Sequence, residues 1–205
     1  LSILRKGEDG WRSPFFRIVL RKGGLVLMLK KRYNRNKGIL EWYDALAVAV
    51  AVIALIFTFV IRIVQVDGGS MNPSLFDGER ILIATFLQPD YGDVVIIDSY
   101  IPYGKPLVKR VIGMAGDTID IDFQTGIVYR NGQALSEPYT AEPTWTYEGV
   151  DFPLTVPEGC LFIMGDNRNN SKDSRDAEIG CVDTRDVLGV AIWRLLPFGK
   201  MGAAE

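Results

Sequence analysis

From Ala45 to Ile61 the chain runs seventeen residues with no charge, and Thr58 is the only polar side chain among them. As a helix this run is about 25 Å long at 1.5 Å per residue, the short end of what crosses a bilayer. Trp42 and Tyr43 at one end and the stem of Arg62 at the other extend it to a full crossing. The expected membrane helix is therefore 42–62. A buried core helix is the alternative, and the lack of any polar face favours the membrane. A cleaved signal peptide fits poorly, because the run starts over forty residues in and no small-x-small site follows closely.

The charge pattern sets an orientation. Residues 1–44 carry eleven Lys/Arg and four Asp/Glu, whereas residues 45–205 carry twelve and twenty-one. A basic arm could read as a nucleic-acid footprint. Beside a membrane span it more often marks the cytoplasmic side. We expect residues 1–41 to be a cytoplasmic arm and residues 63–205 to be one domain on the extracytoplasmic face. Within the arm, Phe15 to Leu29 mixes apolar and basic residues. Gly23-Gly24 breaks its periodicity too much to define a surface helix.

Beyond the span, short β-branched runs alternate with turn residues. Ile61–Val66, Arg80–Ala84, Val94–Ile97, Leu107–Ile112, Thr118–Asp122, Ile127–Arg130, Leu161–Met164 and Val190–Trp193 read as strands. Asn131-Gly132 is a hairpin turn signal. Residues 133–156, rich in Pro and Glu, read as a long loop. The fold class is mainly β, an antiparallel domain after one N-terminal helix.

The chain has no histidine. That excludes Ser-His-Asp and Cys-His catalysis and every His-ligated metal site. Cys160 and Cys181 are too few for a disulfide framework or a four-cysteine zinc site. They read as a possible pair outside the cytoplasm or as two small hydrophobes. An activated nucleophile here must use Lys, Asp, Glu or a chain terminus as its base.

Three stretches could carry such chemistry. Val66-Asp67-Gly68-Gly69-Ser70-Met71-Asn72-Pro73 presents a serine on a bent, uncluttered backbone soon after the apolar run. The same residues also fit a surface turn or a helix cap. Pro106-Leu107-Val108-Lys109-Arg110-Val111-Ile112 embeds a lysine in an apolar strand. Burial would leave such an amine neutral and able to accept a proton, whereas arginine stays charged. An edge strand with Lys109 turned outward is the alternative. Gly165-Asp166-Asn167-Arg168-Asn169-Asn170-Ser171-Lys172-Asp173-Ser174-Arg175 is dense in short hydrogen-bonding side chains. It fails the calcium-loop pattern at Arg168, Ser171 and Ala177, and a solvated turn is its other reading.

Together these stretches resemble the bacterial type I signal peptidases. Ser70-Met71-Asn72-Pro73-Ser74-Leu75 is similar to that family's Ser-Met-x-Pro-Thr-Leu box, with serine at 74 for the usual threonine. Gly92-Asp93-Val94-Val95, Lys109 to Asp117 and Gly165 to Arg175 resemble its further boxes, in order. The resemblance covers roughly residues 40–200. Glycine at 68 and the single helix resemble the Gram-positive subgroup.

The resemblance implies a membrane-bound serine endopeptidase that cuts signal peptides from exported preproteins after small residues. It uses no cofactor, metal or nucleic acid. Ser70 would be the nucleophile, with its backbone N–H at the oxyanion, and Lys109 the general base. Ser171 would hydrogen-bond and orient the Lys109 amine, and Asp173 and Arg175 would buttress the site as an ion pair. Gly68 lacks the hydroxyl that some members place there, which leaves water or another group as second donor. Val64, Val66, Asp67, Leu107 and Val108 would flank an extended substrate by β-addition. Trp193, with Leu195, Leu196 and Phe198, reads either as an apolar rim touching lipid or as core. A self-cleaving repressor with a Ser–Lys pair and an inactive surface-binding module are the competing readings.

Overall fold

The computed structural model describes residues 19–21, 24–26 and 37–204. They fall into two compact units divided after Val48. The basic arm expected over 1–41 lies largely outside the described residues. Within it, strands β1 (Val19–Arg21) and β2 (Gly24–Val26) pair antiparallel, with Arg21 opposite Gly24. The only long helix among the described residues, α1, spans Lys37–Phe59. Its stretch Glu41–Phe59 has mean hydropathy 2.1 and none of it is buried. That is long and apolar enough to cross a membrane.

The helix ends three residues before the expected boundary at 62. The Thr85 hydroxyl donates to Phe59 O at 2.8 Å, and Thr85 N donates to Val60 O at 3.1 Å. These bonds satisfy terminal carbonyls that a helix leaves unpaired. Ile61 and Arg62 instead open strand β3 (Ile61–Gln65), whose β-branched residues suit a pleated chain.

The larger sheet also holds β4 (Arg80–Ala84), β5 (Val94–Ile97), β6 (Leu107–Met114), β11 (Cys160–Met164), β12 (Val182–Asp183) and β13 (Val187–Leu196). Its order is β12-β11-β6-β5-β13-β4-β3, and β14 (Gly202–Ala203) pairs with β13. Every pairing is antiparallel. A smaller antiparallel sheet runs in the order β10-β7-β8-β9, from β7 (Thr118–Asp122), β8 (Ile127–Arg130), β9 (Gln133–Ala134) and β10 (Leu154–Thr155). Asn131 and Gly132 both take positive φ, 53° and 76°, and so close β8 onto β9 in two residues.

The expected loop over 133–156 thus donates a short strand at each end and is otherwise irregular. Its centre is held by side chains from the 165–175 stretch, described below. β13 (10 residues) runs well past the expected Val190–Trp193, because Val187 and Gly189 also pair with β5 and Arg194 and Leu196 with β4. Register shifts in β13 break the period that would have shown it in sequence.

Three apolar clusters fix these layers. One gathers Val95, Ile97, Val111, Leu161 and Ile163. A second packs Met71 and Leu75 on Ile81, Ile83, Val94 and Ile96. A third joins the sheets through Ile112, Phe162 and Met164 against Ile119, Ile121 and Val128. The second cluster seats the Ser70 turn, because Met71 and Leu75 are fully buried anchors on either side of it. Cys160 and Cys181 are free, half-buried thiols packed against the third cluster.

Candidate active site

Ser70 lies at the start of a single turn in which Leu75 N donates to Met71 O at 2.9 Å. Gly68, at φ +83°, bends the chain into it. The Gly68 N–H donates to Asp77 Oδ1 at 2.8 Å, fixing that bend from the far side of the loop. Two bonds from Asn167 pin the peptide carbonyls. Its side-chain amide donates to Gly69 O at 2.9 Å and its backbone N–H to Ser70 O at 3.0 Å. Among the described residues the Ser70 N–H has no partner within the fold.

Lys109 lies on β6, between β5 and β11 in the sheet. It is 3% exposed, so the outward-turned alternative does not hold. Its Nζ lies 2.7 Å from Ser70 Oγ and donates to Val108 O at 2.9 Å. Burial lowers the amine's pKa to about 8, against upward pulls from Asp173 and Asp166. An amine so placed is neutral in a useful fraction of molecules near neutral pH and can take a hydroxyl proton.

Arg110, the next residue, is also buried, on the opposite face of the strand. Its Nε and Nη2 donate to both Asp166 oxygens at 2.8 and 2.7 Å, and its Nη1 donates to Gly92 O at 2.7 Å. Tyr139 covers the guanidinium, 4.1 Å from the ring centroid. Strand alternation separates the two cations: one is bound as a charge, the other is dehydrated.

The 165–175 stretch is a buried polar core, and neither a calcium loop nor a solvated turn. Arg175 Nε and Nη2 donate to Asp173 Oδ1 and Oδ2, both at 2.8 Å, with neither side chain exposed. Gly165 N donates to Asp173 Oδ2 at 2.9 Å, and Arg175 Nη2 to Arg168 O at 2.6 Å. Ser171, expected to bond the Lys109 amine, donates its hydroxyl to Asp173 Oδ2 at 2.9 Å, and the amine donates to the Val108 carbonyl at 2.9 Å.

A cleft of about 660 Å³ opens beside Ser70 and Lys109. Of the residues expected to flank a substrate, Val64, Asp67, Leu107 and Val108 line it, together with Tyr103 and Ile96. Val66 does not. Its side chain is 1% exposed in the second cluster, and its N–H and C=O bond to Glu79 O and Gly78 N. The in-out alternation of β3 continues past Gln65, so Val66 shares the inward face with Val64 and is sealed there, while Asp67 emerges.

Several contributors had no assigned role in the sequence reading. Asp166 and Asn167 sat in a recognised stretch, but spacing alone does not say what they bind. Glu137 and Tyr139 lay in the featureless loop. Glu137 holds both Arg168 Nη atoms at 2.8 and 2.7 Å. Glu148 is half-buried, its Oε2 has no partner, and burial pushes its carboxyl up to about 7. No sequence signal marks these three. Among the described residues, no group of three or more His, Cys, Asp or Glu side chains gathers as a metal site would require.

Comparison with known proteins gives a consistent result. Residues 39–196 match the family described as signal peptidase, peptidase S26. The chain is 37% identical over 183 residues to signal peptidase I of Bacillus licheniformis, covering 84% of this chain and 96% of that one. It is 38% identical over 186 residues to signal peptidase I T of Bacillus subtilis (strain 168), covering 84% and 91%. A crystal structure of a signal peptidase I from Enterococcus faecalis V583 is 34% identical, with TM-score 0.42, covering 51% of this chain and 97% of that chain.

Proposed function

This chain belongs to the signal peptidase family, peptidase S26, and we propose that it is a membrane-anchored endopeptidase using Ser70 and Lys109. It is a peptidase that processes signal peptides. The observation that carries the proposal is the 2.7 Å approach of a buried, dehydrated lysine amine to a serine hydroxyl at the floor of a cleft.

An extended peptide lies between Val64–Asp67 and Leu107–Val108, its scissile carbonyl over Ser70. Neutral Lys109 takes the hydroxyl proton as Ser70 Oγ bonds to the carbonyl carbon. The oxyanion meets the free Ser70 N–H. The C–N bond then breaks, and the Lys109 ammonium returns its proton to the departing amine, leaving a serine ester. Water attacks that ester with Lys109 again as base, which frees the signal peptide's new carboxylate and restores the Ser70 hydroxyl. The Val108 carbonyl holds the amine in line. Asp173, Arg175 and Ser171 keep the wall behind it rigid. Val64, Ile96, Leu107 and Val108 line the cleft with Ser70, and we expect their branched side chains to select small residues before the cut by clash with larger ones.

The anchor is the apolar helix, proposed as a single crossing with residues 1–41 in the cytoplasm and the β domain on the extracytoplasmic face. Trp193, Phe198 and Phe86 are 44%, 80% and 64% exposed. That exposure favours an apolar rim at the lipid surface over core packing.

The test uses detergent-solubilised full-length protein with a preprotein. Ser70→Ala and Lys109→Ala each abolish cleavage while the circular dichroism spectrum and melting transition persist. Normal cleavage by either variant contradicts the assignment. Cleavage of the chain by itself with no effect on a preprotein supports the repressor-like reading, and no cleavage at all by wild type the binding module.

A further inference from the structure

We propose that Arg194 and Glu79 are a positioning pair for the nucleophile: Arg194 clamps the far end of the Ser70 turn through the Ser74 carbonyl, and buried Glu79 holds Arg194 there. The inference rests on Ser70 being the nucleophile.

The near end of the turn is pinned by Asn167 at Gly69 O and Ser70 O. A single helical turn leaves its last carbonyls without partners, and a cation is the favoured cap at that end. Arg194 Nη2 supplies it, donating to Ser74 O at 2.6 Å. Arg194 belongs to β13, opposite Ile81 of β4, in a strand that contributes no reacting group. Ser74 is also approached by Arg110, whose Nη2 lies 3.4 Å from its hydroxyl. Both oxygens of this one residue therefore face buried or half-buried arginines.

Glu79 is the reason Arg194 stays. It is 4% exposed, and its Oε2 lies 3.3 Å from Arg194 Nε, with Lys200 Nζ 4.0 Å from Oε1. A buried carboxylate requires such neighbours. The geometry of the pair is telling. Neither Glu79 Oε2 nor Arg194 Nε makes an aligned hydrogen bond, while the bond to Ser74 is short. A pair serving stability alone would align its two partners with each other. Here the guanidinium is attracted by charge to one side and directed at the turn. Glu79 also accepts from Val66 N at 2.8 Å through its backbone, so one residue ties the strand entering Ser70 to the clamp on its exit.

A displacement of the turn by about 1 Å would open the Ser70–Lys109 contact, and misplacements of that size cost on the order of 100-fold in rate. We therefore expect Arg194→Met in the full-length enzyme to lower kcat about 10- to 100-fold with KM nearly unchanged. It also strips Glu79 of its nearest cation and lowers the melting temperature. The double variant Arg194→Met/Glu79→Gln removes that buried charge, which Lys200 at 4.0 Å alone would face. It recovers melting temperature, while kcat stays low. Arg194→Lys keeps the charge beside Glu79 but loses the fork, and lowers kcat severalfold at wild-type stability. Recovery of kcat together with stability in the double variant overturns the proposal. So does a loss confined to KM, or wild-type kcat in Arg194→Lys. None of these outcomes alters the Ser70→Ala and Lys109→Ala result, so failure of the clamp is distinguishable from failure of the nucleophile.

Discussion

Lys109 illustrates how one residue's chemistry follows from its neighbours. The same ammonium on a solvated edge would stay charged, and here burial, helped by the Arg175 charge, moves it toward neutrality. The sequence exposed it because it is the lysine inside an unbroken apolar strand, beside an arginine that cannot lose its proton. What alternation could not reveal is which acceptor a short hydroxyl turns to. Ser171 donates to Asp173, only two residues on, and Val66 is sealed in the second apolar cluster; spacing marks neither outcome. Gly165 is a second residue-scale constraint. A Cβ there would sit 2.5 Å from Ser70 O and collide with the Ser171 side chain. Gly165→Ala is expected to destabilise the domain by about 1–3 kcal/mol through overpacking. It should also lower cleavage at least tenfold by pushing the Ser70 turn. Urea unfolding and preprotein cleavage measure the two effects, and unchanged values for both contradict the packing described.

At the scale of elements, the strands were legible where β-branched residues run unbroken, as in β4, β5, β7 and β8, whose bounds match the reading of the sequence. They were not where bulges shift the period, as in β13, or where side chains rather than ladders hold the backbone. The 165–175 stretch is the clearest case of the second kind. Arg168, Asn169 and Arg175 bond outward to Glu137, Thr144, Thr146 and Trp145, giving the irregular 137–150 chain its shape. Composition alone made that chain look like a plain loop. The Asp173–Arg175 pair is fully buried, so removing one charge leaves the other uncompensated. Asp173→Asn is expected to cost about 3–5 kcal/mol in urea unfolding. A cost below about 1 kcal/mol would mean that the pair is not structural.

For the whole molecule, the apolar helix and the β domain were both readable in sequence, the first from its absence of polar residues and the second from alternation and turn chemistry. The proposed topology makes a direct prediction. In sealed inverted vesicles added protease should remove the basic arm and leave the β domain protected; in right-side-out preparations the protection should reverse. Digestion of the β domain in sealed inverted vesicles contradicts the orientation. The central claim, that a dehydrated Lys109 is the base for Ser70, bears on the activity of the intact enzyme. An amine whose pKa lies near 8 is protonated, and so inactive as a base, below that pH. The decisive measurement is kcat/KM for preprotein cleavage from about pH 6 to pH 9. We predict a rise of about tenfold per unit that levels off above a midpoint near 8; a flat profile across that range would contradict it.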